Sequence, residues 1–520
     1  MGVVSLIPSL QLGAVLLAGI AIIGVFHTLC LSRLHRFPGP VAAKFTNAYR
    51  AFRTWMGRID LEHHAWHRTY GSAVRIGPNT VMLNDPEMIR VVFTTKDIWQ
   101  KSEMYRPNEA LVDGKRIPNM FNTTDEAYHT AANKPVKPLY SLSRVQEVEP
   151  LVDESLEYLM KKFDAQYTDK GVVCMWDDWM AWWAWDTMVN ITYGEHMGFM
   201  DKQGDIANFI HASTVGQYYY SAISQIPWLD DWLDKNPIVR IGPPQVSTGI
   251  GVTYMKLVEY MQKKAAAKAS PDGGSGSGRA ETYVDKFLRL KETHPDIVDD
   301  NHVFQYSLFN MLAGGDSTAS LLRAAVYHLA KNPACYALLQ AELDAAALPS
   351  LPARFRDVSG LTYLTAVVRE TMRVNPGVSQ TIERIVPREG LTLPDGRFVP
   401  AGARAAMDPS VIMKNEPIFG PEDVMGFHPE RWLRRAGESD DGFDARSRKM
   451  VSTLDFIFGH GKRMCTGRHL AWMEIYKFLA TMYSVYDIKL KDAQHEWKYR
   501  AAWFVFQTDM PMLITRRKST

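Results

Sequence analysis

Residues 458–467 read FGHGKRMCTG, and TGRHLAWMEIYKFLATMY runs on from Thr466 to Tyr483. Cys465 sits among Gly459, Gly461 and Gly467 and beside Lys462 and Arg463. Glycine lacks a Cβ, so this backbone can turn tightly and come close to something bulky. Behind the loop, Ala471, Ile475, Phe478, Leu479 and Met482 fall on one helical face, which puts Cys465 at or just before a helix N-terminus. Free N–H groups, the helix dipole and the two cations all favour a thiolate there.

Such a sulfur is a nucleophile, with His460 as its base, or a metal ligand. Zinc would want more sulfur or imidazole at suitable spacing, and none is here. A flat metal cofactor brings its own remaining ligands. Haem needs one axial thiolate, a close glycine approach and cations for its propionates.

The rest of the chain bounds the choice. Its 520 residues are 46% hydrophobic and 22% charged, as in a packed globular protein. A formal charge of +2 with no long basic tract gives no electrostatic drive toward nucleic acid. Cys30, Cys174, Cys335 and Cys465 are far apart and form no CxxC pair, which argues against a disulfide framework and fits a reduced compartment. From Leu10 to Leu31 there is no Asp, Glu, Lys or Arg, long enough at ~1.5 Å per residue to span a bilayer core of ~30 Å. Arg33, Arg36 and Lys44 follow, so the positive-inside rule leaves the bulk of the chain in the cytosol. Phe37-Pro38-Gly39-Pro40 then turns the chain stiffly away. The reading is a membrane anchor over 1–32 and one mainly α domain with minor β over 33–520.

Within that domain, helical patterns dominate. Trp176, Trp179, Trp183 and Asp186 recur at roughly 3.6 residues, a stripe read as core. Residues 270–280 read as a flexible loop. The stretch 390–402, with Asp395-Gly396 between alternating residues, predicts a hairpin, and 503–516 reads as another. Residues 301–330 form a strong helix that carries Gly314-Gly315 at its middle, where each glycine costs ~1 kcal/mol against alanine. The pattern suggests a backbone that bends there or lets a ligand close.

Phe458-Gly459-x-Gly461-x-Arg463-x-Cys465-x-Gly467 resembles the haem-binding signature of the cytochrome P450 family, the haem-thiolate monooxygenases. Further motifs stand in that family's order. Glu370-Thr371-Met372-Arg373 resembles its ExxR, and Phe427-His428-Pro429-Glu430-Arg431-Trp432 its FxPERW, both with structural roles. Ala313 to Thr318 resembles AGxDTT, with Ser317 where threonine is usual. The family's WxxxR region is occupied by His129 and Asn133, with Lys134 beside them to supply a charge. The late motifs and the anchor suggest a microsomal enzyme, similar to fungal members of secondary metabolism.

The resemblance implies the P450 fold and haem b. It implies Cys465 as axial ligand, Arg463 and Arg384 on the propionates, Phe458 shielding the sulfur, and His129 as a further hydrogen-bond donor. It implies that Asp316 and Ser317 relay protons to iron-bound oxygen. The implied chemistry is oxidation, chiefly hydroxylation, of a lipophilic small molecule. Desaturation, ring closure or oxidative coupling at the same haem is the alternative, and a haem-binding sensor is the alternative outside enzymes. No flavin or nicotinamide domain is visible, so NADPH-cytochrome P450 reductase, with cytochrome b5 as a second donor, is the implied partner at the endoplasmic reticulum membrane. By family position, 104–121, 209–228, 309–313, 377–381 and 503–506 line the pocket.

Overall fold

The structure, a computed structural model, describes residues 19 and 22–517 apart from 97, 113, 244, 270–278 and 421–422. Half of the apolar run from Leu10 to Leu31, and nearly all of the loop at 270–280, therefore lie outside the described residues. Among the described residues, no helix is long and apolar enough to cross a membrane. The chain joins the core at Leu34 and Phe37, both buried.

The long helix Asp300–Lys331 runs through the molecule, ~48 Å at 1.5 Å per residue. Asp299 caps its start by accepting the N–H of His302, and Asn332-Pro333 ends it. Against it pack Trp176–Tyr193, Thr362–Val374 and Arg468–Val485. The helix Trp176–Tyr193 is buried on every side, so its tryptophans are core, and it stops at Gly194 in the left-handed conformation. The Asp186 carboxylate, equally buried, accepts the backbone N–H groups of Gly198, Phe199 and Met200.

The Gly314-Gly315 pair lets another helix come close. The helix does not break there. A Cβ on Gly314 would stand 2.3 Å from Met188 Sδ, and one on Gly315 2.4 Å from the Trp185 indole. The glycines let the two helices approach, and Gly314 also borders the cavity described below.

A four-stranded sheet, in the order Ala73–Gly77, Thr80–Leu83, Arg404–Met407, Ile382–Ile385, flanks the helices. Its edge strand carries Arg384, and an isolated bridge sets Lys101 beside that residue. Beneath the edge, Arg50 Nη2 donates to Glu383 Oε1 at 2.9 Å and Ser102 Oγ to Oε2 at 2.8 Å. The hairpin at 390–402 forms as Leu391–Thr392 against Phe398–Val399. The one at 503–516 does not. Val505–Thr508 pairs with Lys498–Ala501, whereas Pro511–Arg516 pairs with Tyr486–Leu490 and Cys174–Met175. Between them Asp509 adopts φ 66°, and the Asp177 carboxylate accepts the N–H groups of Asp509 and Met510, turning the chain away from itself.

Glu370 and Arg373 are buried completely. Arg431 Nε and Trp432 Nε1 each donate to Glu370 at 2.9 Å, and Arg373 donates to the carbonyls of Met413, Val424 and Gly426. Buried charges are tolerated when every donor and acceptor is met, and this network ties the helix Thr362–Val374 to the segment before the cysteine loop.

Candidate functional site

The cysteine loop opens on the turn Asp455–Phe458 and closes where Cys465 N–H donates to Phe458 O at 2.7 Å. Gly461, at φ 69°, lies so near the Phe93 and Thr94 carbonyls that a Cβ would stand 2.3 Å from Phe93 O. His460 is tied down as well, its Nδ1 2.8 Å from Phe93 O, which spends the imidazole on the loop's own geometry. The helix Arg468–Val485 starts two residues after Thr466. Cys465 is exposed, and it lines a cavity of about 300 Å³. Burial raises its thiol, while the N–H groups of Gly467 and Arg468 and the Arg468 charge act the other way.

Cations gather at one end of the cavity. Lys101, Arg384 and Arg463 line it together with His129 and Asn133. Arg463 forks onto Glu126, Nη2 to Oε1 at 2.8 Å and Nε to Oε2 at 3.1 Å. Arg384 lies 4.9 Å from the Phe93 ring centroid and donates to its neighbour's carbonyl at 2.8 Å. Lys101 is buried, its Nζ donating to Phe121 O and lying 3.8 Å from the Tyr105 ring centroid. Burial, then Arg463 and Arg384, hold the Lys101 pKa well below the usual lysine range. His129 is pushed down to about 3, by burial first and then by Arg463 and Lys101, so it is neutral; its buried Nδ1 has no partner. Lys134, expected to supply the missing charge, is exposed and borders an outer surface pocket instead. Lys101 stands in that place, a residue the sequence reading did not single out.

Opposite the loop, the long helix contributes Ala313, Gly314, Ser317 and Thr318 to the cavity wall. Ser317 Oγ donates to Ala313 O, four residues back, at 2.8 Å. Asp316 is buried on another face, where its Oδ2 accepts from Ser213 Oγ of the helix Phe209–Ile223 at 2.7 Å. Burial raises its pKa, against Ser213 and Arg323, which lower it. The acid and the hydroxyl are thus neighbours in sequence, with no hydrogen bond between their side chains in the structure. A second pair was missed in the sequence. Thr318 Oγ1 donates to Glu474 Oε2 at 3.0 Å, and burial pushes Glu474 up to about 8, so it carries a proton at neutral pH. The signal was a lone acid inside the apolar helix after Cys465. Phe458 also lines the cavity and packs near Trp472, ring centroids 6.3 Å apart.

A smaller chamber of about 100 Å³ shares Phe121, Phe309, Ala313, Trp503 and Phe504 with the main cavity. Each of the five segments expected at the pocket supplies lining residues: Tyr105 and Phe121, Gln217 and Tyr220, Phe309, Val378, and Trp503.

The donor set fits haem on three counts. One sulfur faces the cavity with backbone N–H groups behind it. Lys101, Arg384 and Arg463 line the far end, where Glu126 pairs with Arg463, so it suits an anion, and His129 Nδ1 has no partner among the described residues. A Cβ on Gly467, which also lines the cavity, would meet no protein atom within 4 Å, leaving room for a flat group to lie close.

The family model described as Cytochrome P450 matches residues 47–514. The chain is 33% identical over 483 residues to "Cytochrome P450 monooxygenase cfoH" of Aspergillus candidus, covering 92% of this chain and 88% of that protein. It is 32% identical over 490 residues to "Cytochrome P450 monooxygenase cicH" of Emericella nidulans, covering 93% and 94%. With "Cytochrome P450 monooxygenase mpaDE" of Penicillium roqueforti it shares 30% identity over 499 residues, 94% of this chain and 56% of that longer protein.

Proposed function

The chain belongs to the cytochrome P450 family and is a haem-thiolate monooxygenase served by a redox partner, and from that premise we propose how its own residues serve the reaction and where it works. Haem, when bound, supplies reductive activation of dioxygen and insertion of one oxygen atom into the substrate. Cys465 Sγ would hold the iron. Arg463, Arg384 and Lys101 would hold the propionates, with His129 donating a hydrogen bond from a neutral ring. Phe458 covers the sulfur side. Ser317 Oγ, on the cavity wall, delivers protons when it turns from the Ala313 carbonyl. Asp316 recharges it by swinging from Ser213, so proton delivery is coupled to the helix Phe209–Ile223 that roofs the substrate chamber. Thr318 and protonated Glu474 hold a second proton at the same wall.

The substrate is a lipophilic small molecule of secondary metabolism, and hydroxylation is the expected outcome. The electron donor is NADPH-cytochrome P450 reductase, with cytochrome b5 as a second donor. The protein sits on the endoplasmic reticulum membrane by a single span over 10–31, its body in the cytosol. Exposed Ile22, Ile23 and Phe26 at the described end of that span support this reading, as do Trp228, Trp232 and Ile238 on the body.

The observation that carries the proposal is the thiol lining a cavity whose far end is cationic. Cys465→Ser should abolish the thiolate-type spectrum of the reduced carbon monoxide complex, while Ser at Cys30, Cys174 or Cys335 leaves it intact. Survival of the spectrum in Cys465→Ser would overturn the assignment. Wild type supplied with reductase and NADPH should form products one oxygen heavier than the substrate.

A further inference from the structure

The smaller chamber has a feature that lipophilicity alone does not explain. Five aromatic rings stand in its walls, beside the amides of Asn108, Asn119 and Gln217. Phe121 and Trp503 meet edge to face with centroids 5.4 Å apart, Tyr220 lies 5.3 Å from Trp503, and Phe309 and Phe504 belong to the same lining. Yet two buried oxygens of these lining residues, Gln217 Oε1 and Tyr220 Oη, have no hydrogen-bond partner among the described residues. Both come from the helix Phe209–Ile223, three residues apart and so on one face. Leaving such groups unmade is costly inside a protein. They repay that cost where a ligand supplies the missing partner.

We propose that this chamber binds an aromatic substrate by its ring hydroxyl. The hydroxyl donates to Gln217 Oε1 and accepts from the Tyr220 O–H, and the flat ring lies among Phe121, Trp503 and Phe309. A hydroxyl is a small group that satisfies an acceptor and a donor together. The offset and edge-on rings favour a π-face over an aliphatic chain of equal size. The amides of Asn108 and Asn119 border the same chamber and suit further oxygens on a polyhydroxylated ring. This inference rests on the haem-monooxygenase reading, since the shared lining opens the chamber onto the cavity above Cys465.

The test uses the haem-loaded full chain and four probes: 2-naphthol, 2-methoxynaphthalene, naphthalene and decahydro-2-naphthol. Affinity is read by calorimetry beside haem absorbance, so that ligation of iron by an oxygen atom is not mistaken for chamber binding. The expected result is 2-naphthol about tenfold tighter than its methyl ether, one hydrogen bond's worth, and several-fold tighter than the saturated alcohol. Gln217→Leu should reduce 2-naphthol to the level of the ether and leave naphthalene unchanged. Tyr220→Phe should weaken 2-naphthol separately, and serves if the first variant folds poorly. Equal affinity for 2-naphthol and its ether in wild type, or a preference that survives both substitutions, overturns the hydroxyl contact. Equal affinity for the aromatic and saturated alcohols, or no binding of any ring, overturns the aromatic class. Either result with the thiolate-type spectrum intact falls on this inference alone; loss of that spectrum in wild type falls on the haem reading.

Discussion

Glu474 shows what one buried proton does. Its carboxyl is held near 8, far above the ~4.3 of an unfolded chain. The folded protein therefore keeps a proton that the unfolded chain releases, and the stabilisation, complete below ~4.3, is lost as pH rises toward 8. Glutamine has the same shape, still accepts from Thr318 Oγ1, and never ionises. Thermal unfolding of Glu474→Gln should match wild type near pH 5 and exceed it by a few degrees at pH 8.5. Parallel curves across that range would mean Glu474 is ionised in the fold. Lys101 offers a second test at this scale. Lys101→Met removes a buried amine from the anion-binding end, so the purified protein should retain less haem and lose it faster to apomyoglobin. Unaltered haem retention would leave Arg384 and Arg463 as sufficient. The cysteine, Arg463 and the glycines were legible in the sequence because their spacing lies within one loop. Lys101 was not, because its surroundings are assembled from the strand edge at Arg384, the helix carrying His129 and the cysteine loop.

At the scale of elements, a local cause is readable and a distant one is not. The hairpin at 390–402 is written into its own Asp395-Gly396 turn. The strands within 503–516 take their partners from Lys498–Ala501, Tyr486–Leu490 and Cys174–Met175, which no window of sequence displays together. The glycine pair of the long helix belongs to the same class. Its periodicity and its cost are visible, but the reason is Trp185 and Met188 on another helix. Alanine in a helix normally gains ~1 kcal/mol over glycine. At Gly315 the new Cβ would meet three indole carbons of a fully buried ring at 2.4–2.7 Å. Overpacking of this kind costs about 1–3 kcal/mol, so the clash outweighs the propensity. Gly315→Ala should lower the unfolding midpoint, and Trp185→Leu in the same chain should recover part of the loss. A midpoint that rises with alanine would show that the helices can separate without cost. Because the pair also sets how the wall at Ser317 stands over the cysteine loop, Gly315→Ala should form less product per NADPH oxidised.

For the whole molecule, the proposed membrane contact has two parts that can be separated. The segment 1–32 is apolar by composition, but the haem signature and the ion network of Glu370, Arg373 and Arg431 all lie downstream of it. Removing it should leave haem incorporation intact. It should not release the protein completely, because the body has its own apolar surface. Trp228 is 64% exposed, Trp232 68% and Ile238 90%, with Val239 and Ile241 beside them. This segment follows the helix Phe209–Ile223, which also packs on Asn47–Trp55, where Phe52, Trp55 and Met56 are exposed. The surface thus adjoins the roof of the aromatic chamber, so a body resting on it would draw lipophilic substrate from the bilayer. The chain lacking 1–32 should float with phospholipid vesicles. The same chain with Trp228→Ser, Trp232→Ser and Ile238→Ser should remain at the bottom of the gradient while keeping its thiolate-type spectrum. Flotation unaffected by the triple substitution would place the contact elsewhere, and loss of haem on truncation would make the first 32 residues part of the core.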